Sequence, residues 1–170
     1  SQGPALVRSE GEGILMEAAG PLAGVQDTFR FAYQILTDDG EITARLDALT
    51  GAAGEDVAGV MIRESLAPDA AYVFMGAAAD GAFRFQRRSV TAGETAWKRS
   101  VGSPLGRSWV RLVRRGDRLV ALRSLDRLTW TQIGSVTAAM SRTAVMGLVV
   151  ASRSSDTPIQ ATFGDLNVIP

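Results

Sequence analysis

Apolar side chains recur at every second position through much of this chain. In Ile42-Thr-Ala-Arg-Leu-Asp-Ala-Leu49, Ile42, Ala44, Leu46 and Ala48 share one face while Thr43, Arg45 and Asp47 share the other, which is the period of a half-buried strand. Val57-Ala-Gly-Val-Met-Ile-Arg-Glu64 is apolar on both faces, with Arg63 beside Met61 and Glu64 beside Val60 and Ile62. It reads as a central strand whose charges are partnered. With a Gly-rich loop between them, the two runs predict a β-hairpin around which the chain is organised.

The same alternation continues on both sides of that pair. Residues 1–24 hold two short apolar pieces, Ala5-Leu-Val7 and Ile14-Leu-Met16, expected as edge strands. Thr28 to Leu36 places Phe29, Phe31, Tyr33 and Ile35 on one face and is the clearest core strand; Asp38-Asp39-Gly40 turns it into the hairpin. Tyr72 to Ala79 and Phe83 to Val90 form an antiparallel pair about Asp80-Gly81, and residues 91–108, rich in Gly, Ser and Thr, read as a loop. A further hairpin pairs residues 109–114 with 118–124, and strands follow at 129–136, 145–151 and 161–168. No segment sustains a helical repeat, so the expectation is one all-β domain over residues 1–170, an antiparallel two-sheet β-sandwich or jelly roll with 1–24 as N-terminal edge strands and 25–170 as its core. Phe29, Phe31, Val60, Ile62, Leu112, Leu148 and Phe163 are its expected buried positions.

Composition narrows the chemistry. The 170 residues contain neither histidine nor cysteine, which removes the commonest ligands of zinc, copper and haem and the commonest general base. No cofactor is expected; the one metal compatible with the chain is a hard cation such as calcium, held by turn carboxylates. No run is long enough to span a membrane, and the opening Ser1 fits a mature product or an excised fragment. Net charge is zero but bipolar: residues 1–83 carry 13 acids against 4 bases, and residues 84–127 carry 12 bases against 3 acids. Either strands of the two halves neutralise each other across a sheet, or an acidic and a basic face attract partners or other copies of the chain.

Several groups of residues are candidates for function. Arg84, Gln86 and Arg88 alternate with Phe83, Phe85 and Arg87, giving one face a cationic comb suited to carboxylated or sulfated glycans. Trp97, beside Lys98 and Arg99 in the polar stretch, is the expected exposed aromatic, whereas Trp109 and Trp130 alternate with core residues and are expected to be packed. The acid pairs Asp38/Asp39 and Glu55/Asp56 fall in turns, where solvation or backbone capping accounts for them better than catalysis. Arg63 and Glu64 point to opposite faces and are expected to be structural, and Arg115-Gly-Asp117 is a hairpin turn before it is an adhesion tripeptide. Nucleic acid is disfavoured because the positive charge is compensated and few aromatics interleave with it.

Ala58-Gly-Val-Met-Ile-Arg-Glu-Ser65, Phe31-Ala-Tyr-Gln34, Trp109-Val-Arg-Leu-Val-Arg114, Gly147-Leu-Val-Val-Ala-Ser152 and Ala161-Thr-Phe-Gly-Asp165 together resemble a family of bacterial, mostly secreted β-sandwich modules of the concanavalin and laminin-G-like superfamily. The resemblance implies an accessory module, secreted or at the cell surface, without an active site. The family's turn Ser-x-Asp-Gly-x-Thr-Trp stands here as Ser124-Leu-Asp126-Arg127-Leu-Thr129-Trp130, with arginine where a positive φ favours glycine. Two functions are expected on these grounds: a non-catalytic glycan-binding module using Arg84, Gln86, Arg88 and Trp97, or a self-assembling subunit of a surface layer or filament joined through its N-terminal strands.

Overall fold

The computed structural model describes residues 6–10, 13–18, 30–50, 56–102, 108–151 and 159–170. Among these, all regular structure is strand: β1 (Leu6–Glu10), β2 (Gly13–Ala18), β3 (Arg30–Thr37), β4 (Gly40–Thr50), β5 (Val57–Arg63), β6 (Tyr72–Ala78), β7 (Phe83–Arg88), β8 (Ala96–Ser100), β9 (Ser108–Arg115), β10 (Arg118–Ser124), β11 (Thr131–Thr137), β12 (Thr143–Ala151) and β13 (Ile159–Ile169). They form a seven-stranded sheet, β1-β2-β13-β4-β9-β10-β11, and a six-stranded sheet, β3-β12-β5-β6-β7-β8, antiparallel throughout. The core lies between them, where Ile42 and Leu46 of one sheet face Val60, Ile62 and Met75 of the other.

The organising pair is not a hairpin: β4 and β5 lie in different sheets. Ile42, Ala44 and Leu46 meet Val60 and Ile62 face to face across the core, a placement that buries both apolar faces at once, whereas a hairpin would set them side by side. The chain likewise crosses between sheets from β3 to β4, and Asp38, not Gly40, takes the positive φ of 60° in that turn. β5 is an interior strand as expected, and every residue of β5 and β6 is buried. Each of the two therefore packs on both faces, the property of strands that read as unbroken apolar runs.

β3 differs most from its sequence pattern. It is an edge strand, and Tyr33 and Ile35 are 47% and 65% exposed while Leu36 is fully buried. Its bulkier face thus turns away from the inter-sheet core. Phe31 is buried on that outer face, in a second cluster with Met61, Tyr72, Phe74 and Val149; Phe29 lies outside the described residues. The other five expected core positions, Val60, Ile62, Leu112, Leu148 and Phe163, are buried. Residues 91–108 contain an edge strand, β8, in place of a continuous loop. At the N-terminus β1 is an edge strand, but β2 is inserted between β1 and β13, and Met16 is buried in the core. The described part of the N-terminal segment therefore extends the chain's own sheet, with β1 at its edge.

Charges of the two halves meet across the molecule: Arg115 pairs with Glu41 at 3.5 Å, and Arg99 with Asp80 at 3.0 Å. The neutralising reading of the bipolar charge holds at these contacts.

Candidate functional site

The outer face of the six-stranded sheet gathers the chain's most functional-looking residues into ordered rows. Cross-strand register aligns Arg63, Tyr72 and Arg88 in one row and Met61, Phe74, Gln86 and Trp97 in the next; Gly59, Gly76, Arg84 and Arg99 make the third. Strand alternation puts these side chains on one surface. The four residues singled out from sequence, Arg84, Gln86, Arg88 and Trp97, are thus neighbours.

They do not form an open cationic comb. Arg84, Gln86 and Arg88 are 8%, 1% and 0% exposed, whereas Trp97 is 52% exposed. The guanidinium of Arg88 donates from Nε to Gly93 O at 2.9 Å and from Nη1 to Pro68 O and Ala70 O at 3.3 and 3.1 Å. Arg63 does the same for the loop after β5, donating to Ser65 O at 3.0 Å and Ala67 O at 2.6 Å. Both cations lie over the Tyr72 ring, at 5.4 Å for Arg63 and 5.2 Å for Arg88, and the Tyr72 hydroxyl accepts from Gln86 Nε2 at 2.7 Å. A buried guanidinium is tolerated when carbonyls satisfy its donors and an aromatic face meets its charge. Arg63 and Arg88 hold loops in place, Gln86 is tied to Tyr72, and with Arg84 buried as well the expected cationic comb does not face an anionic glycan.

At the sheet edge the arrangement opens. Arg84 lies over the Trp97 ring at 4.3 Å and supports it from the buried side, while more than half of Trp97 remains accessible. Next to it Arg99 Nε donates to Asp80 Oδ2 at 3.0 Å. Burial would raise the Asp80 carboxyl, but the bonds from Arg99 and the Ala82 amide outweigh it and hold the group below its usual range. Lys98 reaches across to donate to Ile133 O at 3.1 Å, joining the open edges of the two sheets. The result is an aromatic plate fixed by a cation, flanked by a charged pair: chemistry suited to stacking on the apolar face of a ring.

The other candidates resolve differently. Trp109 and Trp130 are half-buried on the outer face of the seven-stranded sheet, not in the core. Trp109 Nε1 donates to Asp165 Oδ2 at 3.2 Å, and Arg111 covers Trp130 at 3.9 Å. The indole N–H and the cation explain why partly wet positions suit them. Asp39 accepts the Gly116 amide at 2.7 Å, Asp56 is buried, and Glu55 lies outside the described residues. Glu64 accepts from Ser141 and Thr91, a structural role on the face opposite Arg63. Among the described residues no group of three acidic side chains is placed to hold a metal ion. Sequence reasoning missed Tyr72 and Arg63 as the centre of the outer face; the signal was there in the unbroken apolar run Tyr72-Val-Phe-Met75.

No family model and no curated protein matches this chain. Solved structures do match. A functionally unknown protein from Saccharomyces cerevisiae superposes with a TM-score of 0.73 at 18% identity, over 100% of this chain and 95% of that one. A carbohydrate-binding module, CBM66 from Bacillus subtilis, gives 0.57 at 12%, covering 98% and 92%. A GH43 protein from Bacillus licheniformis gives 0.66 at 12%, over 96% of this chain but only 37% of the enzyme. At these identities the likeness is one of fold, a β-sandwich shared with carbohydrate-active proteins.

Proposed function

We propose that this chain is a non-catalytic polysaccharide-binding module that contacts its ligand through Trp97. The observation that carries the reading is the Trp97 ring, half exposed on an edge strand and backed by the Arg84 guanidinium. A sugar ring laid on the plate buries its C–H face against the indole, while Arg99 and Asp80 offer a donor and an acceptor at its rim. The full-length likeness to a carbohydrate-binding module supports binding, and so does the engagement of carboxylates elsewhere: Asp38 with Arg142, Asp39 with a backbone amide and Glu41 with Arg115. Because Arg63 and Arg88 are spent on loop carbonyls and Arg84 is buried behind the Trp97 ring, the ligand is a neutral polysaccharide and not the anionic one that charge patterning suggested.

The test is affinity electrophoresis through gels containing xylan, laminarin, β-glucan or levan, with Trp97→Ala alongside the parent. Retardation on at least one neutral polymer, lost in Trp97→Ala at an unchanged melting temperature and little altered between about 50 and about 500 mM salt, is the expected result. Equal retardation of parent and variant, or none on any polymer, overturns the reading.

A further inference from the structure

The turn between β10 and β11 encloses a groove of about 320 Å³ lined by Arg123, Ser124, Leu125, Asp126, Thr129 and Thr131, a volume at the lower end of small-molecule sites, roughly 300 to 1,000 Å³. Its walls are unusually well fixed for a surface turn. Ser124 Oγ accepts the amides of Asp126 and Arg127 at 3.2 and 2.8 Å. Asp126 Oδ1 accepts from Ser124 Oγ at 3.0 Å and from the amides of Leu128 and Thr129 at 2.8 and 2.7 Å. Arg127 is held at φ 64° in this network and reaches Asp165 on β13 at 3.8 Å. A residue kept in the left-handed region by surrounding bonds is the kind of stored strain that accompanies binding sites.

The polar groups on the groove are of both signs. Three bonds to Asp126 end on Oδ1 and the Thr129 side chain bonds the same carboxylate, which fixes its plane at the groove and presents it as an exposed acceptor. Arg123 spends Nη1 on Val101 O at 2.9 Å and rests over Phe83, which orients the guanidinium. Thr131 adds an exposed hydroxyl, the Thr129 side chain is turned to Asp126, and Leu125, 68% exposed, gives an apolar wall. One hydroxyl of a ring can donate to the carboxylate while its neighbour accepts from the guanidinium, and the ring's C–H face meets Leu125. An anionic ring would meet Asp126 and a cationic one Arg123.

We propose that this groove is a second binding site, separate from Trp97, that takes a single neutral pyranoside ring. It goes beyond the polysaccharide contact at Trp97 and does not depend on it. The experiment titrates the isotope-labelled chain with methyl β-glucopyranoside, methyl β-xylopyranoside, methyl α-mannopyranoside and sodium glucuronate, following backbone amide shifts. At least one methyl pyranoside should give saturable shifts at Leu128, Thr129 and Thr131, equally in the parent and in Trp97→Ala. Thr131→Val should weaken the binding about tenfold while leaving the amide shifts of the unliganded Ser124–Thr129 turn in place, and glucuronate should bind at least tenfold more weakly than the neutral ring. Absence of saturable shifts with all three neutral rings overturns the proposal. So do shifts that disappear in Trp97→Ala, which would merge the two sites, unaltered binding in Thr131→Val, and glucuronate binding as tight as the neutral rings.

Discussion

Replacing Gly76 with alanine tests the packing of the outer face where two interior strands approach closely. Gly76 pairs with Gly59 across β5 and β6, and a Cβ at Gly76 would overlap the Ala58 carbonyl oxygen and lie 2.7 Å from both Gly59 Cα and the Phe74 ring. Two of the three obstacles are backbone, and Phe74 is fully buried, so relief must come from parting two interior strands that are paired on both sides. Overpacking of a core costs about 1 to 3 kcal/mol when side chains can yield; with backbone as the obstacle the upper end applies, about 3 kcal/mol. For a domain of this size each kcal/mol moves the melting temperature by roughly 2 to 4 °C, which predicts a fall of about 6 to 12 °C. Urea unfolding followed by tryptophan fluorescence gives the free energy directly. Gly59→Ala should cost a similar amount, and the double variant less than the sum, because a single separation of the strands accommodates both methyls. Gly81→Ala, at φ 85° with nothing within 4 Å of its Cβ, is the control: it should cost about 1 kcal/mol through conformation alone and add independently to Gly76→Ala. A Gly76→Ala protein within about 0.5 kcal/mol of the parent, or simple additivity with Gly59→Ala, would refute the close approach of these strands.

Arg127→Gly should stabilise the protein slightly, by about 0.5 kcal/mol in urea unfolding. Relief of a left-handed arginine, about 1 to 2 kcal/mol, is offset by the freer unfolded chain and by loss of an exposed pair with Asp165; a loss of stability would count against the strained turn. Arg88→Ala should destabilise by on the order of 3 kcal/mol, since the carbonyls of Pro68, Ala70 and Gly93 lose a charged donor, and an unaltered unfolding midpoint would return Arg88 to the list of ligand contacts. The Thr129 and Leu128 amides, with the Ser124 hydroxyl, hold the Asp126 carboxyl below its usual range. A depressed folded value means that the turn's stabilisation is complete above the ordinary carboxylate value, about 3.9, and is lost as pH falls through the folded one. The Leu128 and Thr129 amide shifts should therefore titrate with a midpoint below about 3.9, and a midpoint at or above it contradicts the network.

Periodicity made the strands legible and left their partners hidden. The run Ile42 to Leu49 announces an amphipathic strand whether its neighbour is beside it or across the core, because both placements bury Ile42 and Leu46; only the three-dimensional connection distinguishes a hairpin from a crossing. β3 misled for a related reason. Phe31, Tyr33 and Ile35 form its bulkier face, yet that face is turned outward, and the small Ala32 with Leu36 serves the inner side. At the site, the alternation of Arg84, Gln86 and Arg88 correctly put them on one surface but could not say that the surface is buried, since a guanidinium that binds loop carbonyls looks in sequence like one that faces water. The missing clue was β6: with Tyr72 to Ala78 apolar on both faces, any neighbour's outward side chains had to be buried with it. Trp97 stood out because its surroundings, Glu94, Lys98 and Arg99, leave nothing apolar to cover it.

The position of the two last strands sets the order of events as the polypeptide is made. β12 lies between β3 and β5, and β13 lies between β2 and β4, so each sheet has a gap that only residues 143–169 can fill. Until those residues emerge from the ribosome, β3, β5, β2 and β4 present unpaired edges to whatever is nearby, and no sub-assembly of earlier strands can close either sheet. Contacts this distant in sequence close slowly, and unpaired edges are templates for association. Removing residues 141–170 should therefore convert a stable sandwich into an aggregating chain, which light scattering of the shortened protein would show.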